Sequence, residues 1–392
     1  MNLTPNLNSS DSTVQQISKQ LCTQIEQAIA LSGGKITFAD FMHRCLYTPG
    51  LGYYSNGSHK LGEGGDFVTA PELSPLFSRT IAQQALPVLK QLSEPNLLEF
   101  GAGSGKMAAT ILAELEHANL LPNNYFILET SAELRLRQQE TLLATVPELI
   151  NRVHWLDQLP AQFTGLILAN EVCDAMPVHR LLFKDNEVYE LYVSFEKGTF
   201  QWCNGPLSDP ALKERASHIK DLIGEHAMAY EAEVNLAAEA WTSSIASFLK
   251  QGAVFIIDYG HPRTPYYHPQ RSNGSLMCHY QHQGHDNPFV HIGLQDITAH
   301  VEYTSLAEAA VAGGLQVAGF LSQADFLLSG GITTLAAAEM NTNDLNMMQC
   351  ASEIKRLTLP GEMGEVFKVL VLTTGLEQPL TNIQAGDRRY SL

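Results

Sequence analysis

Leu97-Leu98-Glu99-Phe100-Gly101-Ala102-Gly103-Ser104-Gly105-Lys106 is the stretch from which the rest of the chain is read. A short apolar run has the character of a buried strand, it ends in a glycine turn, and Lys106 to His117 continues at helical spacing. Glycines permit positive φ and let a ligand approach the backbone without a Cβ clash. Amides exposed at the helix start favour polar or anionic ligand groups. Spacing then separates the ligand classes. A P-loop needs Gly at position 100 and Ser or Thr at 107, where this chain has Phe100 and Met107. A dinucleotide fingerprint puts its third glycine at 106, where Lys106 stands.

Working outward, Tyr125 to Leu128, Val153 to Trp155, Leu166 to Ala169 and Ala253 to Ile257 read as four further strands, with a helix from Ala132 to Leu143. Alternation of strand and helix implies βαβ units and a parallel sheet, hence an α/β fold. Leu315 to Phe320 and Val366 to Thr373 supply the last two strands. Val178 to Trp202 alternates like an antiparallel β-ribbon, and Asp209 to Lys250 and Gln323 to Leu357 read as largely helical. Before the sheet, residues 1–12 look like a frayed tail and Thr13 to Leu31 like a helix stopped by Gly33-Gly34. A second helix spans Thr37 to Cys45, and a glycine- and tyrosine-rich loop runs from Tyr47 to Pro75. The expected organisation is a helical N-terminal region over 1–90 and a main domain over 91–375. That domain carries insertions at about 178–250 and 323–357 and is followed by a tail over 376–392.

Composition bounds the partners. In 392 residues, 45% are hydrophobic and 17% charged, enough apolar material for a sizeable core. A net charge of -17 argues against a general grip on nucleic acid, which needs basic surface. The 6 cysteines form no CxxC pair and read as reduced thiols. The polar N-terminus has neither a signal core nor a transit-peptide pattern, and no apolar run approaches the ~20 residues of a membrane helix. The expectation is a soluble cytoplasmic protein with no membrane or nucleic-acid partner.

G-x-G-x-G after a strand ending in an acidic residue is the usual pattern of class I methyltransferases. There Glu99 faces the cationic part of S-adenosylmethionine, and Gly101, Gly103 and Gly105 pass under its sugar and amino-acid moiety. Glu129, ending the second strand about 24 positions beyond Gly105, is placed to accept from both ribose hydroxyls. Asp157, after the third strand, is placed to meet the adenine amino group. NAD would also use Glu129, so the glycine spacing carries the discrimination.

With these residues placed, the chain resembles the MidA family of S-adenosylmethionine-dependent methyltransferases. These are bacterial relatives of the mitochondrial arginine methyltransferase that assists assembly of respiratory complex I. The resemblance rests on Phe38-Ala39-Asp40-Phe41-Met42, on Tyr47-Thr48-Pro49-Gly50-Leu51-Gly52-Tyr53-Tyr54 and on Gly65-Asp66-Phe67-Val68-Thr69-Ala70-Pro71-Glu72. The glycine loop, Asn170-Glu171-Val172-Cys173-Asp174-Ala175-Met176-Pro177-Val178 and Gly293-Leu294-Gln295-Asp296-Ile297-Thr298-Ala299-His300-Val301 complete the set. It implies a Rossmann-like, seven-stranded class I sheet with an antiparallel last strand. It also implies a loop from Gly65 to Glu72 over the cofactor, so that Asp66, Thr69, Pro71 and Glu72 join the cofactor site, as does Asn170 at the end of the fourth strand. For the mitochondrial relative it implies symmetric dimethylation of an arginine on a complex I subunit, which makes a protein, a respiratory complex subunit among the candidates, the implied partner.

Methyl transfer is an in-line displacement that needs two positioned reactants and shaped charge. An arginine nucleophile stays protonated at neutral pH. Two carboxylates can hold it bidentately and leave one nitrogen better able to attack. Glu171 and Asp174, after the fourth strand, are candidates for that pair, although Asp174 also reads as a helix N-cap. Asp258-Tyr259-Gly260-His261 is a candidate second wall. The cluster Cys278-His279-Tyr280-Gln281-His282-Gln283-Gly284-His285 matches no zinc module, so no metal is expected, and His282 and His285 are candidate proton acceptors. Methylation of a small metabolite, or structural use of the cofactor by an assembly factor with little turnover, stays open. The inserted ribbon offers an edge through which the chain could form a homodimer.

Overall fold

The computed structural model describes residues 9–56, 69–224, 229–340 and 344–392. Its centre is a sheet built on the strand that enters the glycine loop. The strands are β1 (Asn96–Phe100), β2 (Asn124–Leu128), β3 (Val153–Leu156), β4 (Phe163–Asn170), β5 (Leu249–His261), β6 (Gln316–Ser322) and β7 (Phe367–Thr374). They lie in the order β6-β7-β5-β4-β1-β2-β3. β1 to β5 pair in parallel, and β7 runs antiparallel to both β5 and β6. The α/β sheet with its reversed last strand is therefore as read from the sequence. The strand count is one higher, because Val301–Glu302 pairs with the end of β5 at Gly260 and His261.

Burial on both faces explains the unbroken apolar runs of these strands. Leu97, Leu166, Leu168, Phe255 and Ile257 enter one core beneath Pro75–Leu89, Lys106–His117 and the helices that follow β6. Their alternates Leu98, Ile167, Val254 and Ile256 enter a second core with Leu236–Phe248 and Tyr303–Ala312. The last residues do not trail away. Leu380 and Ile383 are buried, and the Arg388 amide donates to the Phe320 carbonyl at 2.7 Å.

A second sheet stands beside this core. His179–Lys184, Glu187–Glu196 and Thr199–Gly205 form the expected antiparallel ribbon. Lys35–Thr37, from the N-terminal region, pairs with Tyr192 to Ser194. The segment read as largely helical contains a strand, Tyr230–Val234, paired with His179 to Phe183. Tyr230, Ala232 and Val234 alternate inward, a period-2 pattern that the flanking helices mask. Met277–Tyr280, Gln283–His285 and Asp296–Thr298 make a third, small sheet. The first helix, Ser9–Leu31, begins inside the stretch read as a tail.

Candidate active site

The chain leaves β1 at Phe100, and the Gly101 amide is tied to the Leu128 carbonyl at the end of β2 (3.1 Å). Gly101, Gly103 and Gly105 have φ of 63, 53 and 84°, which side chains rarely adopt. Above this loop, at the carboxyl ends of the strands, lies a cavity of about 510 Å3. That size suits a small-molecule site, and the position is where open α/β sheets bind ligands. Glu99, Gly101, Gly103, Glu129, Asp157 and Asn170 line it together with Thr69, Pro71, Glu72 and Glu171. Asp66 lies outside the described residues.

Each acid at a strand end has its own environment. Glu99 is buried and accepts from the Tyr125 hydroxyl at 2.6 Å; burial pushes it up to about 7, with Tyr125 opposing. Glu129 accepts from the Ser131 amide (2.9 Å) and the Gln138 side-chain amide (3.1 Å), and burial raises it. Asp157 is exposed and paired with Arg135 at 2.8 Å. Glu72 accepts from the Ser104 hydroxyl and from Lys106 at 2.7 Å, so it ties the segment before Pro75–Leu89 to the glycine loop.

Gln138 is a residue the sequence reading missed. It is fully buried and donates to both Glu129 and the Gly103 carbonyl (3.1 Å each), while its oxygen accepts from the Trp155 indole (2.8 Å). Nothing marks it in the sequence beyond a polar residue on the inner face of a helix. Gln138→Leu strands these three partners, and leaving buried polar groups unpaired costs about 1–3 kcal/mol each. A cofactor affinity about 10-fold lower is expected by calorimetry, and an unchanged affinity would refute the hub role.

The wall beyond the end of β4 is acidic. Glu171 adopts φ 52°, its amide held by the Ile257 carbonyl at 2.8 Å, which turns the chain off the end of β4. Its carboxylate accepts from Asn170 at 3.1 Å. Burial, then the negative charge of Asp174, pushes it up to about 8. Asp174 is buried behind this wall and does not line the cavity; burial raises it to about 6. Asp258, fully buried near the end of β5, accepts from the amides of Cys173 (2.9 Å) and Asp174 (3.2 Å) and is raised by burial and by the charges of Asp174 and Glu171. No helix follows Asp174, so the N-cap alternative does not apply. Among the described residues no lysine or arginine forms an ion pair with Glu171, Asp174 or Asp258.

His282 is a correction. It sits exposed at the turn between Met277–Tyr280 and Gln283–His285, with φ 62°, and is not among the residues lining the cavity. His285 follows on the same hairpin and accepts from the Asn287 amide. Among the described residues no cluster of three or more His, Cys, Asp or Glu is arranged to hold a metal ion. Tyr47, Tyr54 and Trp241 line the cavity and were not assigned from the sequence.

Comparison with known proteins agrees with this geometry. A family model for S-adenosyl-L-methionine-dependent methyltransferases (Methyltransf_28) matches residues 80–321. The chain belongs to that family. A solved structure from Burkholderia thailandensis, bound to S-adenosyl-homocysteine, is 40% identical over 99% of this chain and 100% of its own, with a TM-score of 0.93. Among curated relatives, "Protein arginine methyltransferase NDUFAF7, mitochondrial" from Danio rerio is 27% identical over 394 residues, covering 92% of this chain and 87% of its own. The Drosophila melanogaster homolog is 26% identical over 397 residues, covering 92% and 85%. The protein is a methyltransferase of this family and S-adenosylmethionine is its cofactor. The cavity fits that group: it combines a turn whose Gly101 and Gly103 present bare backbone with the acceptor Glu129 and the buried acid Glu99.

Proposed function

We propose that this methyltransferase acts on a protein and that its methyl acceptor is an arginine side chain. The observation that carries the reading is Glu171, an acid on the cavity wall backed by Asp174 and Asp258 without a basic partner among the described residues. A buried cluster of this kind is costly unless a cation joins it. The names of the relatives from Danio rerio and Drosophila melanogaster support the same acceptor. Bound S-adenosylmethionine supplies an electrophilic methyl group. Glu171 holds the guanidinium and concentrates its charge away from the attacking nitrogen. As the N–C bond forms and the C–S bond breaks, one N–H proton leaves the guanidinium. A carboxylate poised near neutrality, as Glu171 is, is suited to receive it.

Incubation with radiolabelled S-adenosylmethionine and cell lysate tests the reading, with the labelled products separated on a gel and hydrolysed. Label recovered as methylarginine in a protein band is the expected result. Label in small molecules indicates a metabolite acceptor, and no label despite a cofactor-dependent rise in melting temperature indicates a binding protein; either result overturns the proposal. NAD is expected to leave the melting temperature unchanged.

A further inference from the structure

The cavity is also lined by two tyrosines, Tyr47 and Tyr54. Their rings are stacked, with centroids 5.6 Å apart and an interplanar angle of 23°, which leaves no room for a group between them. They act as one aromatic surface. Each is locked by its hydroxyl. Tyr47 donates to the Ala175 carbonyl at 2.9 Å, and Tyr54 donates to the Asp296 carboxylate, 3.0 and 3.1 Å from its two oxygens. A tyrosine has a single O–H donor. With that donor committed, each phenol oxygen offers the cavity only lone pairs.

Asp296 makes this arrangement firm. It is buried at the start of Asp296–Thr298, and its Oδ1 also accepts from the Ile297 amide at 3.0 Å. A buried carboxylate behind a phenol polarises the O–H outward and adds negative potential to the ring. A ring face of that kind attracts cations, and a planar guanidinium stacks on it better than a tetrahedral ammonium does. A methyl acceptor presenting a carboxylate or hydroxyl oxygen would find no donor on this wall.

We infer that Tyr47 and Tyr54 form the specificity-determining wall for the methyl acceptor, with Asp296 as the positioning residue that makes the wall acceptor-only and selective for a planar, N–H-rich cation. This rests on the arginine reading and adds to it the residues that separate arginine from lysine. Glu171 grips the charge, while the tyrosines judge its shape.

The test uses the full chain saturated with S-adenosylhomocysteine. Two probes, Nα-acetyl-L-arginine amide and Nα-acetyl-L-lysine amide, are titrated by calorimetry against wild type and the Tyr54→Leu, Tyr54→Phe and Asp296→Asn variants. Wild type is expected to favour the arginine probe by about 5-fold or more. Tyr54→Leu is expected to weaken that probe about 10-fold and to erase the preference. Asp296→Asn keeps the ring and is expected to reduce the preference by about 3-fold. S-adenosylhomocysteine affinity is expected to stay within about 2-fold throughout and serves as the folding control. If Tyr54→Leu fails that folding control, Tyr54→Phe and Asp296→Asn carry the comparison. Undiminished preference in the variants overturns the wall and leaves the arginine reading standing. Failure of wild type to bind the arginine probe overturns the arginine reading itself.

Discussion

Glu171→Gln is expected to lower methyl transfer by about 10²–10⁴-fold while leaving cofactor affinity within about 3-fold. Glutamine keeps the size of the side chain and its bond with Asn170 but removes the charge that meets the acceptor and the base that takes its proton. The pH dependence follows from the same residue. Burial and Asp174 raise Glu171 from an ordinary 4.5 to about 8. Across that interval the folded chain holds a proton that the unfolded chain has released, so stability falls as pH rises and levels off above about 8. Activity has the opposite sign, because the carboxylate form does the work. The wild-type rate is therefore expected to climb with pH through neutrality, with the limb belonging to the coupled cluster of Glu171, Asp174 and Asp258. Glu171→Gln is expected to flatten that limb and to melt higher than wild type at pH 8, with little difference at pH 4.5. A pH–rate profile paired with calorimetry at the two pH values checks both. A Gln variant that retains the limb and the rate would exclude Glu171 from the chemistry.

The opposing signs explain why such a cluster persists in the fold. A protein selected for stability alone would not keep three carboxylates together beside a cavity without a basic partner among the described residues. The cost is tolerated where an incoming cation offsets it, so substrate binding and stabilisation become the same event.

Much of this architecture is legible along the chain because its causes are local. β1, the glycine turn and the helix Lys106–His117 follow from apolar periodicity and glycine spacing. The helix emerges with the bounds read for it. Glu99 and Glu129 are legible for the same reason, since each sits one residue from a strand end that hydropathy marks. What escapes is long-range pairing. Tyr54 meets Asp296 across a separation of 242 residues, and Lys35–Thr37 joins a ribbon that begins far along the chain. His282 fails differently. Its residue type suits proton transfer, but Gln281 and His282 both take positive φ to close a hairpin. Asn and Gly ordinarily announce that turn, and neither is present at these two positions. Gln138 shows the same limit from the other side, because its three bonds exist only once helix, loop and β3 have come together.

Gly105→Ala is expected to abolish measurable cofactor binding and to destabilise the fold by about 2–4 kcal/mol. Two effects add. At φ 84° a non-glycine residue is strained by about 1–2 kcal/mol. A Cβ built there would also lie 2.9 Å from the Cα of Gln138 and 3.3 Å from its Cβ, so the obstacle is backbone and cannot swing aside. Displacing Gln138 pulls on the Gly103 carbonyl, on Glu129 and on the Trp155 indole together, so the strain reaches both sides of the cofactor cavity. Gly198→Ala separates the two effects. Gly198 has φ 85°, and nothing lies within 4 Å of the point a Cβ would occupy, in the turn between Glu187–Glu196 and Thr199–Gly205. It is expected to lose only the backbone contribution, about 1 kcal/mol, and to bind the cofactor as wild type does. Denaturant titration and calorimetry with S-adenosylmethionine read both quantities. If Gly105→Ala bound the cofactor like Gly198→Ala, contact between the glycine turn and Gln138 would have no part in shaping the site.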